Sequence, residues 1–225
     1  MNQQQWTEVD RYLVDRLVGA DPALEATLQA SDDAQLPPIN VAPNQGKLLD
    51  LLVLASRART ILEIGTLGGY STIWLARALP PGGRLVSLEA DARHAAIARN
   101  NIALAGLSDV VEIIVGEAAK TLPTLVAKVP PGFDFVFIDA DKASTTEYFA
   151  WSLKLSHLGS LIVVDNVVRG GKVADQASRD PNVVGMQRFL DSLASEPRVS
   201  ATAVQTVGSK GHDGFLLAVV TGDAG

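Results

Sequence analysis

The stretch ILEIGTLGGYSTIWLARAL, residues 61–79, decides the fold, because it runs from an apolar strand through a glycine-rich turn into an amphipathic helix. Strand and helix patterns keep alternating after it. Further strand-like runs lie at 84–88, 110–115, 133–138 and 160–164, with helix-like segments at 71–79, 91–105, 117–128 and 145–156. This alternation predicts an α/β fold with a doubly wound, mostly parallel sheet. Two last runs, 199–207 and 214–221, flank the turn-rich GSKGHD and predict a C-terminal antiparallel hairpin.

The N-terminal part of the chain differs from this alternating core. Residues 1–42 combine helix-like apolar spacing with a break at Pro37-Pro38, and residues 43–57 suit a buried helix that leads into the first strand. A length of 225 residues suits one sizeable α/β domain. We therefore expect a single domain over the whole chain, with 1–42 as a helical cap and 43–225 as the α/β core.

Composition narrows the classes of function. The chain has no cysteine, which excludes disulfides, thiolate zinc sites and a cysteine nucleophile, and which fits a reducing cytoplasm. The net charge of −6 argues against a nucleic-acid partner. No secretory signal pattern opens the chain, and no apolar run is long enough to span a membrane. We expect a cytoplasmic protein with a small-molecule partner.

The glycine-rich turn restricts the class of ligand. Residues 65–71 contain no lysine, which excludes a triphosphate-binding P-loop, and Leu67 stands where a dinucleotide fingerprint needs its second glycine. Glu63, just before the turn, would attract a cationic group, although it could instead cap a helix or pair with an arginine. Glu89 lies where an acidic side chain binds a ribose diol in doubly wound folds. Together they favour a positively charged nucleoside, a description that S-adenosylmethionine fits.

A second group of polar residues follows two other predicted strands. Asp139 ends the run FDFVFI, with Asp141 and Lys142 in the turn after it, and Asp165-Asn166 end the run LIVV. The carboxyl ends of parallel strands meet at one edge of a sheet, so these oxygens should converge. Two carboxylates and an amide carbonyl suit magnesium or a similar divalent ion better than zinc. The alternative is that both aspartates only cap helices or form loops.

These motifs resemble those of a known family. The pattern Glu-x-Gly-x-x-x-Gly-Tyr-Ser from Glu63, then Glu89, then Gly116-Glu117-Ala118, resembles the class I S-adenosylmethionine methyltransferases. With the Asp-x-Asp-Lys motif and the later Asp-Asn pair, it is similar more narrowly to the cation-dependent O-methyltransferases of the catechol and caffeoyl-CoA type. The resemblance covers about Val41 to Val168. It implies a Rossmann-like methyltransferase domain with a seven-stranded sheet, and a homodimer.

The resemblance also implies roles for individual residues. It places the metal, magnesium first with manganese or calcium as alternatives, on Asp139, Asp165 and Asn166. It assigns the S-adenosylmethionine site to Val41, Glu63, Gly65, Thr66, Ser71, Glu89, Ala118, Asp139, Asp141 and Tyr148. Tyr148 and Ser71 also have structural interpretations, as an aromatic at the edge of the core and as a helix cap.

The implied reaction is methyl transfer to one hydroxyl of a small phenolic acceptor with vicinal hydroxyls. A metal that chelates both hydroxyls would acidify and orient the attacking one, and Lys142 with Asp139 would form the catalytic group. Lys142 would complete the deprotonation or stabilise the phenolate, unless it is a solvated loop lysine. Basic residues for a coenzyme A phosphate are not evident near the N-terminus, which favours a free catechol. Two other classes stay open, a nicotinamide-dependent oxidoreductase and a non-catalytic S-adenosylmethionine-binding module.

Overall fold

The computed structural model describes residues 2–126 and 132–222. The α-helices are α1 (Gln3–Leu17), α2 (Pro22–Asp33), α3 (Pro43–Ser56), α4 (Tyr70–Arg77), α5 (Ala92–Leu104), α6 (Ala118–Leu125), α7 (Thr145–Lys154) and α8 (Pro181–Ala194). The strands are β1 (Thr60–Ile64), β2 (Arg84–Glu89), β3 (Val111–Val115), β4 (Phe133–Ile138), β5 (Ser156–Asp165), β6 (Val199–Gly208) and β7 (Gly211–Val220). Short 3₁₀ helices follow β4 (Lys142–Ser144) and β5 (Arg169–Ala174).

All these strands form one seven-stranded sheet in the order β3-β2-β1-β4-β5-β7-β6. Strands β1 to β5 pair in parallel, whereas β7 is antiparallel to both β5 and β6. The predicted doubly wound, mostly parallel sheet and its C-terminal antiparallel hairpin are therefore confirmed. The strand order reverses between β1 and β4, which is the point where doubly wound sheets bind ligands.

Helices cover both faces of the parallel part of the sheet, so its central strands are apolar on both sides. Ile61 of β1 and the phenylalanines Phe135 and Phe137 of β4 face the core formed with α3, α4 and α5. Leu62 and Ile64 face the opposite core, which contains residues of α6, α7 and α8. Glu63 points from β1 to the same side as Ile61, where it is fully buried.

Some boundaries differ from the sequence prediction. Strand β5 begins at Ser156, because Ser156 pairs with Phe133 before a register shift that restarts the ladder at Phe135 and Leu161. The ladder of the hairpin extends to Gly208 and Gly211, so a two-residue turn replaces the predicted six-residue one. The predicted helix at 117–128 ends at Leu125 in α6, and its positions 127–128 lie outside the described residues.

Helices α1 and α2 belong to the N-terminal segment, and α1 packs against α3 and β6 while α2 packs against α4 and α5. Asp10 of α1 is buried, and its carboxylate accepts hydrogen bonds from the backbone N–H of Ser209 at 2.6 Å and from Asn44 Nδ2 at 3.0 Å. These bonds join α1 to the β6–β7 turn and to the start of α3. Within the described residues, no helix combines the length and the apolarity that crossing a membrane requires.

Candidate active site

A cavity of about 890 Å³ opens at the carboxyl ends of β1, β2 and β4. Its volume suits a drug-sized ligand. Nine of the ten side chains or backbone positions predicted for the cofactor line it, namely Val41, Gly65, Thr66, Ser71, Glu89, Ala118, Asp139, Asp141 and Tyr148. The structure thus brings together residues that are up to about a hundred positions apart in the sequence.

The glycine-rich turn needs glycine at its first position. Gly65 has φ +98°, and a Cβ atom there would lie 2.3 Å from the backbone oxygen of Asp139. Only glycine allows this approach between the ends of β1 and β4. The turn is held open by Glu89, whose Oε2 accepts hydrogen bonds from the backbone N–H groups of Thr66 at 3.3 Å and Leu67 at 2.9 Å. Glu89 therefore fixes the turn while it faces the cavity.

Glu63 is the predicted cofactor residue that does not line the cavity. Its carboxylate accepts hydrogen bonds from Ser71 Oγ at 2.7 Å, from Ser87 Oγ at 2.6 Å and from the Thr72 hydroxyl. Burial raises the pKa of Glu63 to about 7, although the three hydroxyl donors lower it and the charge of Asp139 adds to the rise. Glu63 is therefore connected to the cavity through hydroxyls, directly through Ser71 and through Thr72 to Thr66, since Ser71 and Thr66 line it.

Asp141 and Tyr148 form a hydrogen-bonded pair in the cavity wall. The Tyr148 hydroxyl donates to Asp141 Oδ2, and the backbone N–H of Ser144 donates to Asp141 Oδ1 at 3.0 Å. Burial alone would raise the pKa of Asp141, but these donors and the charge of Lys142 outweigh it and lower the pKa. Burial and the bond to Asp141 raise the pKa of Tyr148 to about 12. Asp141 thus presents a negative charge to the cavity.

The predicted metal ligands lie at the ends of β4 and β5. Asp139 Oδ1 accepts a hydrogen bond from Lys142 Nζ at 2.8 Å, and the Lys142 side chain is almost completely buried. Asp165 is 4% exposed, and its Oδ1 accepts the backbone N–H of Asn166 at 2.8 Å. Burial raises the pKa of Asp165 to about 7, and the nearby charge of Asp139 adds to the rise.

These residues fit a divalent cation. The described residues contain no cluster of three or more His, Cys, Asp or Glu side chains in a metal-binding arrangement. The predicted set instead has two carboxylates, Asp139 and Asp165, with the amide oxygen of Asn166, which are hard oxygen donors. Two carboxylates close enough to disfavour each other's charge make a site that a cation would stabilise.

A smaller cavity of about 220 Å³ adjoins the first one. Asp165 lines the smaller cavity and Asp139 the larger one, whereas Asn166 and Lys210 line both. The predicted metal site therefore lies where the two cavities meet. The smaller cavity is enclosed by α1, the start of α3 and the β6–β7 hairpin.

Some lining residues were not among the predicted site residues. His94 lines the larger cavity with Nδ1 3.8 Å from Glu89 Oε1. Asn182 and Lys210 also line it. Asp180 and Pro181 are a typical signal for the start of a helix. This signal could have predicted α8 and placed Asn182 in its first turn. No sequence signal marks Lys210, since the hairpin turn brings it to the site only in the folded chain.

The doubly wound sheet and the cavity at its switch point have the form of a class I methyltransferase. A family model described as O-methyltransferase matches residues 18–219. The chain is 51% identical over 220 residues to a catechol O-methyltransferase of Niastella koreensis, covering 98% of this chain and 100% of that protein. The sheet and its helices also match solved structures.

Similar structures with a bound ligand include two that match this chain over almost its whole length. An O-methyltransferase from Bacillus cereus in complex with SAH is 55% identical with a TM-score of 0.96, covering 98% of this chain and 100% of that one. The O-methyltransferase TomG from Streptomyces achromogenes, involved in tomaymycin synthesis and in complex with SAM, is 51% identical with a TM-score of 0.94, covering 99% and 100%. The chain belongs to the O-methyltransferase family and is an S-adenosylmethionine-dependent enzyme. The oxidoreductase and the non-catalytic module are therefore not favoured.

Proposed function

We propose that the enzyme methylates one hydroxyl of a small catechol-like vicinal diol and that it requires a divalent cation. The observation that supports this proposal is the position of Asp139, Asp165, Asn166 and Lys142 where the larger and the smaller cavity meet, beside the predicted cofactor residues. The catechol O-methyltransferase relative, identical at half of its positions, supports the same acceptor class.

The cofactor residues divide the larger cavity into parts with different roles. Glu89 is in place for the ribose hydroxyls, and the backbone of Ala118 for the adenine. Asp141, held by Tyr148, offers a negative charge to a cationic group, while Ser71 would also contact the cofactor and Val41 would lie near its methionine end. S-Adenosylmethionine supplies an electrophilic methyl group on a sulfonium. Its cationic character suits a wall in which Glu89 and Asp141 are acidic.

Asp139, Asp165 and Asn166 would hold the cation, magnesium in the first place, with manganese or calcium as alternatives. A bound divalent cation supplies Lewis acidity that lowers the pKa of a chelated hydroxyl. Burial and the charge of Asp139 raise the pKa of Asp165 although the nearby charge of Lys142 lowers it, so a bound cation would further favour the ionised carboxylate, which supports a cation there. The small cavity beside Asn166 leaves room next to the site for part of an acceptor.

Lys142 assists deprotonation of the acceptor. The 2.8 Å ion pair with Asp139 holds the buried Lys142 side chain in place, and its positive charge stabilises the phenolate that forms when the phenol proton leaves to water. The phenolate oxygen then forms a bond to the methyl carbon while the carbon–sulfur bond breaks, and the electron pair stays on sulfur. Asp139 thus serves both the cation and Lys142.

Other properties are part of the same proposal. All strands belong to one sheet, which supports a single methyltransferase domain with residues 1–42 as its cap. The absence of cysteine supports a cytoplasmic location, and the net charge supports a small-molecule acceptor rather than a nucleic acid. The family resemblance supports a homodimer.

The test is methyl transfer from labelled S-adenosylmethionine to a panel of catechols after chelation, with and without added magnesium. We expect the activity to disappear on chelation and to return with magnesium. Asp165→Asn should abolish the activity, whereas Asp191→Asn, at an exposed site on α8, should preserve it. Equal methylation with and without the metal would overturn the cation requirement. Binding of S-adenosylmethionine without methylation of any catechol would overturn the acceptor class.

A further inference from the structure

Two positive side chains without ion-pair partners line the larger cavity. Among the residues that the structure describes, the Lys and Arg side chains on its wall are Lys142, Arg169 and Lys210. Lys142 pairs with Asp139, but neither Arg169 nor Lys210 has a carboxylate within 4.0 Å among those residues. Arg169 Nε is buried without a hydrogen-bond acceptor there. Buried donors are normally satisfied, and no side-chain hydrogen bond of Arg169 occurs among the described residues, so its guanidinium, which lines the cavity, is available to a ligand.

The second cation has only a neutral partner. Lys210 Nζ donates a hydrogen bond to the backbone oxygen of Pro38 at 3.0 Å, across the cavity from the hairpin to the loop between α2 and α3. Partial burial lowers the pKa of Lys210. An anion beside its ammonium would offset that cost.

Asp213 fixes the relative position of the two cations. Its Oδ1 accepts hydrogen bonds from the backbone N–H groups of Val168 at 3.1 Å and Arg169 at 2.9 Å. Asp213 follows Lys210 by three residues in the same hairpin, so both cations start from segments that are bonded to each other. Arg169 has φ +56°, an uncommon conformation for a non-glycine residue that the surrounding structure must hold.

The position of the charged lining residues indicates where an anion would fit. The smaller cavity is lined by Asp10, Asp165 and Asp213 with Lys210 as its cation, which disfavours an anion. The larger cavity also has acidic lining residues, but these lie on α2 or at the ends of β2, β3 and β4, namely Asp32, Glu89, Glu117, Asp139 and Asp141. Arg169 instead follows β5, and Lys210 lies in the β6–β7 turn beside it, so an anion would fit on this side of the larger cavity, where the amides of Asn166 and Asn182 add hydrogen-bond donors.

We propose that Arg169 and Lys210 form an anion-binding subsite for the acceptor, so that the enzyme prefers catechols whose ring carries a carboxylate. This inference rests on the proposed function, since it concerns the acceptor of that reaction. Arg169 offers a planar fork that matches a carboxylate, and Lys210 adds a second charge. The subsite would orient the ring and so determine which hydroxyl faces the methyl group.

The test compares two acceptors that differ in one charge, 3,4-dihydroxybenzoate and 3,4-dihydroxybenzamide. We expect the wild-type enzyme to have the higher kcat/KM for the benzoate. Arg169→Asn, which tolerates positive φ, and Lys210→Gln should each lower the benzoate-to-benzamide ratio of kcat/KM at least about tenfold, mainly through the KM of the benzoate. Lys172→Gln, an exposed cation of the same loop that does not line the cavity, is the matched control.

The outcomes separate the two proposals. If the wild-type enzyme methylates the benzamide as well as the benzoate, or if both variants keep the wild-type ratio, the subsite is overturned while the catechol function stands. If Arg169→Asn weakens binding of S-adenosylmethionine itself and leaves the ratio unchanged, Arg169 serves the cofactor and the inference is wrong. If neither acceptor is methylated with magnesium present, the proposed function fails.

Discussion

Lys142 carries the most specific prediction for a single residue. Replacing it by methionine keeps an apolar stem of similar length but removes the ammonium that lies 2.8 Å from Asp139 Oδ1. We expect kcat to fall about a hundredfold or more, because loss of a group that stabilises the developing oxyanion has that order of effect, while the Kd for S-adenosylmethionine changes little. Steady-state kinetics and calorimetric titration measure the two quantities separately.

The control for Lys142 is Lys120→Met. Lys120 also pairs with an acidic residue three positions earlier, Glu117, at 2.8 Å, but its side chain is mostly exposed. The Lys120→Met enzyme should therefore retain the kcat of the wild type. A Lys142→Met enzyme with the turnover of the wild type would contradict the role given to Lys142.

Glu63 gives a prediction about pH. Its pKa rises from 4.5 to about 7 on folding, mainly through burial, so the folded state binds the extra proton and stability is lost as the pH rises from about 4.5 through 7. Glu63→Gln cannot ionise. Its free energy of unfolding relative to the wild type should therefore increase between pH 5 and pH 8, by at most about 3 kcal/mol. Urea unfolding of the ligand-free proteins at several pH values measures this difference.

The exposed Glu25 of α2 provides the comparison, since Glu25→Gln should give no such trend. A Glu63→Gln difference that stays constant over this range would mean that Glu63 ionises as easily in the folded chain as in the unfolded one.

Glu63 and Gly65 also illustrate what sequence can predict about single residues. The pattern around the turn identified both, and the close approach of Gly65 to the Asp139 carbonyl explains the glycine. The pattern could not tell that Glu63 lies behind Ser71 rather than on the cavity wall. That depends on which face of β1 the side chain occupies and on three hydroxyl donors, two of them from α4 and one from β2.

At the scale of elements, Asp134 joins β4 to its neighbours at the amino edge of the sheet. Its carboxylate accepts bonds from the backbone N–H groups of Arg59 at 2.7 Å and Thr60 at 2.8 Å, and from His157 Nε2 at 3.0 Å if that nitrogen carries a proton. Asp134→Ala should lower the free energy of unfolding by about 1–3 kcal/mol, because it leaves two backbone donors unpaired. Thermal or urea unfolding measures the loss.

Asp109→Ala is the control for this prediction. Asp109 is exposed in the loop before β3, so this variant should have nearly the free energy of unfolding of the wild type. If the two variants were equally stable, water would be satisfying Arg59 and Thr60 as well as Asp134 does.

Element types were more predictable than their ends. The apolar runs of β1 and β4 are buried on both faces, which gives a strong signal. The beginning of β5 at Ser156 has no such signal in the sequence, because the segment 156–160 is partly polar. It joins the sheet through a single pairing with Phe133 before the register shift. Tertiary pairing decides such ends, and local propensity does not.

At the scale of the whole molecule, the cavity wall combines parts that no local pattern connects. The loop at residues 36–41 and the hairpin residue Lys210 close the site from opposite sides, and the bond between Lys210 and Pro38 spans 172 positions of sequence. Sequence motifs predicted the strand-end residues, which the parallel sheet gathers at one edge. They could not predict how the cap and the hairpin meet over that edge.

The edge strand β6 provides the prediction for the proposed homodimer. Every residue of β6 is exposed or half-buried, and its Val204 and Val207 are 44% and 49% exposed. Long exposed edge strands tend to pair with another chain, so we expect a second copy to cover this edge. The protein should have twice its 23.7 kDa chain mass in solution, and Val204→Glu should shift it toward the monomer.

Leu158→Glu, at an exposed apolar residue of β5, should leave the mass unchanged. Light scattering during size-exclusion chromatography measures the masses. If the wild-type protein is a monomer at micromolar concentration, or if Val204→Glu is still a dimer, this edge is not the interface.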